Sequence, residues 1–134
     1  MKNHEIQKRL KDKREQLQKW EREGHDIVEA VCFHYGVSVR SAKSKCRRNE
    51  IINARQISCY IMRKVFYKET KDEKGVIKIT KMSLEKIGKY FDIDHATVGY
   101  SIQTVENLLE VDKAYKKLAE TLFYELIPEY NEPN

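Results

Sequence analysis

Apolar residues recur along this chain at helical spacing, and the places where the spacing fails mark the ends of elements. Ile6, Leu10, Leu17 and Trp20 follow one another at intervals of four, seven and three within residues 2 to 23, where nearly every other position is charged or amide. That is the thin stripe of a long charged helix, and Gly24 is read as its stop. Asp26 and Glu29 stand at capping-box spacing, and Ile27, Val31 and Tyr35 then share a face before Gly36, which predicts a second helix. Ser38 predicts the cap of a short third helix reaching to about Lys45. Cys46 to Glu50 shows no apolar period and reads as a basic loop, after which Asn53 is placed to cap a helix from Ala54 to about Tyr67. With Ile57, Ile61 and Val65 on one arc and Cys59, Met62 and Phe66 on another, this helix is expected to be the most buried. Its remaining strip holds Gln56, Tyr60, Arg63 and Tyr67.

Residues 68 to 81 break the period, and Val76, Ile77, Ile79 and Thr80 around Gly75 predict a small hairpin or an irregular surface loop. Ser83 then caps Leu84 to Phe91, Asp92 and Ile93 make a tight turn, and Asp94 caps a helix to about Val111. In that helix Val98, Ile102, Val105 and Leu109 form the core stripe, leaving Ala96, Gly99, Tyr100 and Gln103 opposite and His95 and Thr97 in the first turn. Two helices joined by so short a turn are a helix-turn-helix. A last helix runs from Asp112 to about Leu126 on Ala114, Leu118, Leu122 and Leu126, and Pro128 stops it. The expected fold is all-α: seven helices in a compact bundle containing a helix-turn-helix, with a charged N-terminal arm and at most one small hairpin.

Composition narrows the function. With 134 residues, five Gly and two Pro, the chain has room for one small domain and an appendage, and the scarcity of Gly and Pro argues against a sandwich, a barrel or disorder. No stretch approaches the roughly 20 apolar residues of a membrane span, and the first 25 residues are too polar for a signal peptide, so a cytoplasmic protein is expected. Cys32, Cys46 and Cys59 are an odd number without knuckle spacing and are read as reduced thiols, two of them in helix interiors. His4, His25, His34 and His95 show no metal-ligand spacing, no cysteine has a visible histidine partner, and no GxxxxGK[ST] occurs. No catalytic residue, metal, cofactor or nucleotide is expected, and no enzymatic activity.

Charge is unevenly placed. Residues 36 to 69 carry nine Lys or Arg against two Asp or Glu, whereas residues 106 to 134 carry three against seven. The net charge of +5 therefore conceals a middle of +7 and a tail of −4. A basic region steers phosphate polyanions, and it equally attracts an anionic membrane surface or an acidic protein.

The run SKCRRNEIINARQISCYIMRKVF, then MSLEKIGKYF, then DIDHATVGYSIQTVENL decides among these. In that order it resembles the C-terminal DNA-binding domain of the bacterial replication initiator DnaA, over roughly residues 27 to 122. That family shows a basic loop, an Arg-Gln pair, a Ser-Leu-x-x-Ile-Gly helix and an Asp-His-Thr-Thr-Val signature opening its recognition helix. The resemblance implies binding to double-stranded DNA at an origin-like or regulatory site, with no membrane and no nucleotide as partner. It implies base contacts from Arg47 in the minor groove and from Leu84, Asp94, His95 and Thr97 in the major groove. It implies backbone contacts from Arg48, Arg55, Gln56 and Arg63, the Arg-Gln pair standing near a helix N-terminus. The chemistry suits those roles: arginine is drawn into narrow A·T-rich minor grooves, and short polar side chains on a helix's first turn reach base edges.

Departures from the family pattern are also legible. Asp92-Ile93 replaces a Gly-Gly-Arg, Ala96 replaces the first Thr of the signature, Ala54 and Glu85 stand where prolines are usual, and residues 68 to 81 hold an insertion. The DNA sequence preferred is expected to differ accordingly. The expected organisation is a charged helical arm over residues 1 to 25, the DNA-binding domain over 26 to 127 and a tail over 128 to 134, free-standing without the family's ATPase module. Self-association or a protein partner, bound through residues 2 to 23, is the alternative reading.

Overall fold

The computed structural model describes residues 3 to 126; the expected tail and Pro128 lie outside these. Helix α1 (Asn3–Tyr35) is followed by α2 (Val39–Ala42), α3 (Asn49–Val65), strands β1 (Tyr67–Lys71) and β2 (Ile77–Lys81), then α4 (Leu84–Lys89), α5 (His95–Val111) and α6 (Lys113–Leu126). The fold is the expected helical bundle, with six helices among the described residues rather than seven.

The difference lies in α1, because Gly24 does not stop a helix. The chain runs through it, and Gly24 is buried where Tyr90 crosses: a Cβ there would strike the Tyr90 hydroxyl group. Tyr90 reaches that position because its hydroxyl donates to the Glu21 carbonyl at 2.7 Å. The glycine is thus a close-approach residue. Gly36, at φ 68°, is the true C-terminal stop. At about 1.5 Å per residue α1 is about 50 Å long. Only its second half is in the core, through Trp20, Ile27, Val28, Val31 and Cys32, while residues 3 to 15 are exposed.

Helix α3 lies at the centre, packed against α1, α2, α4 and α5, with Ala54, Ile57, Cys59, Ile61 and Met62 buried. Burial pushes the Cys59 thiol up to about 12, so it stays protonated. All three cysteines are free, and Cys46 lies in the loop before α3. Helix α6 meets the core through Ala119 and Leu122, and of the remaining expected stripe Leu118 and Leu126 are half-buried and Ala114 exposed.

Residues 67 to 81 form an antiparallel hairpin with Tyr67 opposite Lys81 and Lys71 opposite Ile77. Its turn is closed by Asp72, whose side chain accepts from the N–H groups of Lys74 and Val76, and Gly75 takes φ 82°. The strands themselves are exposed, yet the residues at their feet, Phe66 and Met82, are buried, and Phe66 stacks on Trp20 at 5.7 Å. The hairpin is therefore rooted in the core by its two ends.

Candidate nucleic-acid interface

The basic loop, residues 43 to 48, is tied to α3 by the Arg55 side chain. Arg55 donates through Nε to the Ala42 carbonyl at 3.0 Å and through Nη2 to the carbonyls of Ser44 at 2.9 Å and Cys46 at 3.4 Å. A guanidinium presents five donors in a rigid fork, so it can tie three carbonyls of one loop together. The Ser44 hydroxyl adds a bond to the Ser41 carbonyl at 2.6 Å. Latched in this way, the loop leaves Lys43, Lys45, Arg47 and Arg48 exposed to solvent. Arg48 lies 3.7 Å from Glu50 with both side chains more than half exposed, a weak contact. Among the described residues no ion pair engages Arg47.

Helix α3 begins at Asn49, with Arg48 in the cap position, five residues before the expected cap Asn53, which is half-buried within the helix. Arg55 and Gln56 consequently lie in its second turn and not beside its free N–H groups. Gln56 is half-buried. The strip through Gln56, Tyr60, Arg63 and Tyr67 is interrupted as well: Tyr67 opens β1, Tyr60 meets Phe123 edge-on at 6.0 Å, and Arg63 donates to the Met82 carbonyl at 3.0 Å.

The helix-turn-helix is built by local backbone bonds and one crowded glycine. Ser83 caps α4 by accepting from the Lys86 N–H. At its end the Gly88 carbonyl accepts from the N–H groups of Phe91 and Ile93, and a Cβ on Gly88 would collide with the Ile93 carbonyl. Asp92 takes φ 54°, a left-handed conformation that Asp tolerates better than most residues. Asp94 then caps α5, accepting from the Thr97 N–H at 2.8 Å. Hydrogen bonds from Thr97, through its side chain and then its backbone, hold the Asp94 carboxyl below the usual carboxylate range. Behind this turn α5 buries Val98, Ser101 and Val105 and turns His95, Ala96, Thr97, Tyr100 and Gln103 outward, Tyr100 being 69% exposed.

Leu84 is half-buried at the start of α4 and faces Gly99 of α5. These two residues, with Arg63, Tyr67, Lys81 and Gln103, border an open groove of about 530 Å³. The expected site residues thus fall into two groups. Asp94, His95 and Thr97 open α5 beside the groove that Leu84 and Arg63 line, whereas Arg47 and Arg48 stand on the loop that Arg55 holds. Sequence reasoning misses Gly88 as the packing point of the turn and Lys81 as a groove residue, although the Ile-Gly pair before a two-residue turn is a visible signal. Among the described residues no group of three or more His, Cys, Asp or Glu is arranged to hold a metal, and no helix is long and apolar enough to cross a membrane.

Residues 25–72 match the family described as the bacterial DnaA protein helix-turn-helix, a stretch that takes in the second half of α1, the loop, α3 and β1. Over 92 residues the chain is 34% identical to the chromosomal replication initiator protein DnaA of Bacteroides thetaiotaomicron, covering 68% of this chain and 17% of that protein. It is 35% identical over 97 residues to DnaA of Thermodesulfovibrio yellowstonii, covering 72% of this chain and 19% of that one. The chain therefore spans less than a fifth of each of these two relatives. A crystal structure of a DNA replication initiation factor superposes with a TM-score of 0.63 at 27% identity, over 94% of this chain and 37% of the other. The matched stretch takes in the loop and the central helix, and the chain belongs to the family of DnaA C-terminal helix-turn-helix domains.

Proposed function

We propose that this protein binds double-stranded DNA selectively, at an origin-like or regulatory site, without carrying out chemistry on it. The outward face of α5 carries the reading: His95, Thr97, Tyr100 and Gln103 are exposed side by side on a helix whose start is fixed by its own cap. His95 and Thr97 bond base edges in the major groove, and Leu84 meets a thymine methyl. Asp94 caps with one oxygen and has acceptor capacity left for a cytosine amine. Arg47 enters the minor groove, and Arg48, Gln56 and Arg63 serve phosphates. Arg55 acts by positioning the loop that carries Arg47. Residues 26 to 127 form the binding unit, in the cytoplasm, and residues 1 to 25 a charged arm.

Selection of bound sequences from a random duplex library tests this directly, with enrichment of one motif expected. Arg47→Ala should weaken binding to that motif by about 1 to 3 kcal/mol, measured by titration. Equal binding by wild type and an Arg47→Ala/His95→Ala double variant would sink the reading. A second reading, pairing of two chains through the arm, is favoured by the exposure of Ile6 (45%) and Leu10 (56%) on one stripe of α1. Truncation before Leu17 tests it: a dimer in sedimentation that becomes a monomer supports arm pairing, and a monomeric wild type excludes it. Truncating further would remove Trp20, which is core.

A further inference from the structure

The exposed first half of α1 and the hairpin face each other. Between residues 9 to 16 of α1 and the hairpin is an open cleft of about 590 Å³. Arg9 and Lys13 line it from the helix, Lys68 and Lys78 from the strands, and Asp12 is the sole acid among its lining residues. The strand register explains the placement. Lys68 pairs with Thr80 and Lys78 with Thr70, so these four side chains share one face of the ribbon, while Tyr67 and Lys81 lie on the other. None of the four cations is in an ion pair among the described residues, and all four are exposed. Lysines on an edge strand commonly serve only to prevent edge-to-edge pairing. That role does not account for Arg9 and Lys13 meeting them from a separate helix, where gathering like charges is unfavourable unless an anion lies between. Thr70, Thr80 and Gln16 supply further donors in the same cleft.

We propose that the cleft is a second backbone-binding strip, which clamps a phosphodiester strand of the duplex held by the helix-turn-helix. The proposal rests on the DNA-binding reading above. Charge complementarity selects the occupant, since a row of cations flanked by hydroxyl and amide donors suits successive phosphates. Continuity supports it, because the hairpin is a shared wall: its other face, through Tyr67 and Lys81, borders the groove beside Leu84 and Gln103. The strip lengthens the footprint on DNA and adds affinity without adding sequence preference.

The test is the salt dependence of binding to a mixed-sequence duplex, measured with the whole chain. Each phosphate contact contributes about 0.9 to the slope of log K against log salt, so the quadruple variant Arg9→Gln/Lys13→Gln/Lys68→Gln/Lys78→Gln should flatten that slope by about 3 to 4. The charge-conserving exchanges Arg9→Lys/Lys13→Arg/Lys68→Arg/Lys78→Arg should keep it. Lys116→Gln/Lys117→Gln, on exposed positions of α6, controls for overall charge and should change it far less. A quadruple glutamine variant with the wild-type slope, or one no flatter per charge removed than the α6 control, overturns the clamp while leaving the DNA reading intact provided Arg47→Ala still weakens binding. A wild type that shows no salt-dependent binding overturns the DNA reading itself. Unchanged thermal melting of the quadruple glutamine variant confirms that the fold is retained.

Discussion

The loop before α3 and the first turn of α5 both present polar side chains to solvent, and in each one polar residue is engaged by the protein's own backbone. In α5 that residue is Asp94, which accepts from an N–H three positions on. At the loop it is Arg55 of α3, which donates to carbonyls 9 to 13 positions back. The first arrangement closes within one turn and is backed by the Gly88 carbonyl, which receives two turn N–H groups. The second reaches α3 through one long side chain, helped by short-range bonds of Ser44. Rigidity in the helix-turn-helix comes from backbone packing, and order in the basic loop from a removable latch. The two regions should therefore fail differently: a substitution in the turn should unfold the domain, and one at the latch should release Arg47 and Arg48 with less damage elsewhere.

Gly88→Ala should have the largest effect. The obstructing atom is the Ile93 carbonyl, which belongs to the backbone and cannot rotate aside. Overpacking of this kind costs about 3 kcal/mol, readable in a urea melt, and DNA binding should disappear with the fold. Arg55→Ala comes next, at about 2 kcal/mol for the lost charged hydrogen bonds, with duplex affinity falling more steeply than stability because the loop loses its arrangement. Arg55→Lys sharpens the contrast. A lysine keeps the charge but cannot span three carbonyls, so it should behave like alanine in a titration against duplex DNA. If Arg55→Lys binds like wild type, Arg55 serves a phosphate and not the loop.

The same difference in range explains what the sequence makes legible. Ser83 and Asp94 are readable as caps because a cap and its N–H lie three residues apart, and the outward face of α5 follows from its period. The hairpin is one of two readings of residues 68 to 81, decided by the pairing of Tyr67 with Lys81. Gly24 misleads because its reason for being glycine lies at Tyr90, far along the chain, and local rules assign a helix stop to a glycine that in fact makes room. Asn53 misleads because the helix extends back to Asn49, and Ile51, buried at 3% exposure, draws that extra turn into the core. The Arg-Gln pair is found by resemblance, but the role of its arginine depends on carbonyls that no spacing rule connects to it.

Gly24→Ala probes the support behind the turn and should act against helix propensity. Alanine favours a helix over glycine by up to about 1 kcal/mol. The Tyr90 hydroxyl that a Cβ would meet is pinned by the Glu21 carbonyl, and Tyr90 itself is only 6% exposed, so its ring cannot swing away. Crowding should outweigh propensity and leave a net loss of about 1 kcal/mol, a drop of a few degrees in Tm. A rise in Tm would show that α1 and α4 separate easily and that the helix-turn-helix does not depend on the arm helix for support.

The smallest effect is expected at Asp94, and its sign is fixed by the direction of the shift. Hydrogen bonds from Thr97 lower the Asp94 carboxyl in the folded protein, so folding favours the ionised form. The cap therefore contributes its full stability above the carboxyl's unfolded value, about 3.9, and loses it as pH falls through the lower folded value. Asp94→Asn keeps an acceptor for the Thr97 N–H but has no proton to gain. The stability difference between wild type and Asp94→Asn should hold constant from neutral pH to about 5 and then shift against the wild type as acid is added. DNA binding should separate the two roles of the residue. An asparagine at this position caps as aspartate does but presents an amide where a carboxylate stood. A variant that melts like wild type at neutral pH yet enriches a different base in library selection therefore assigns Asp94 to base reading as well as to the cap.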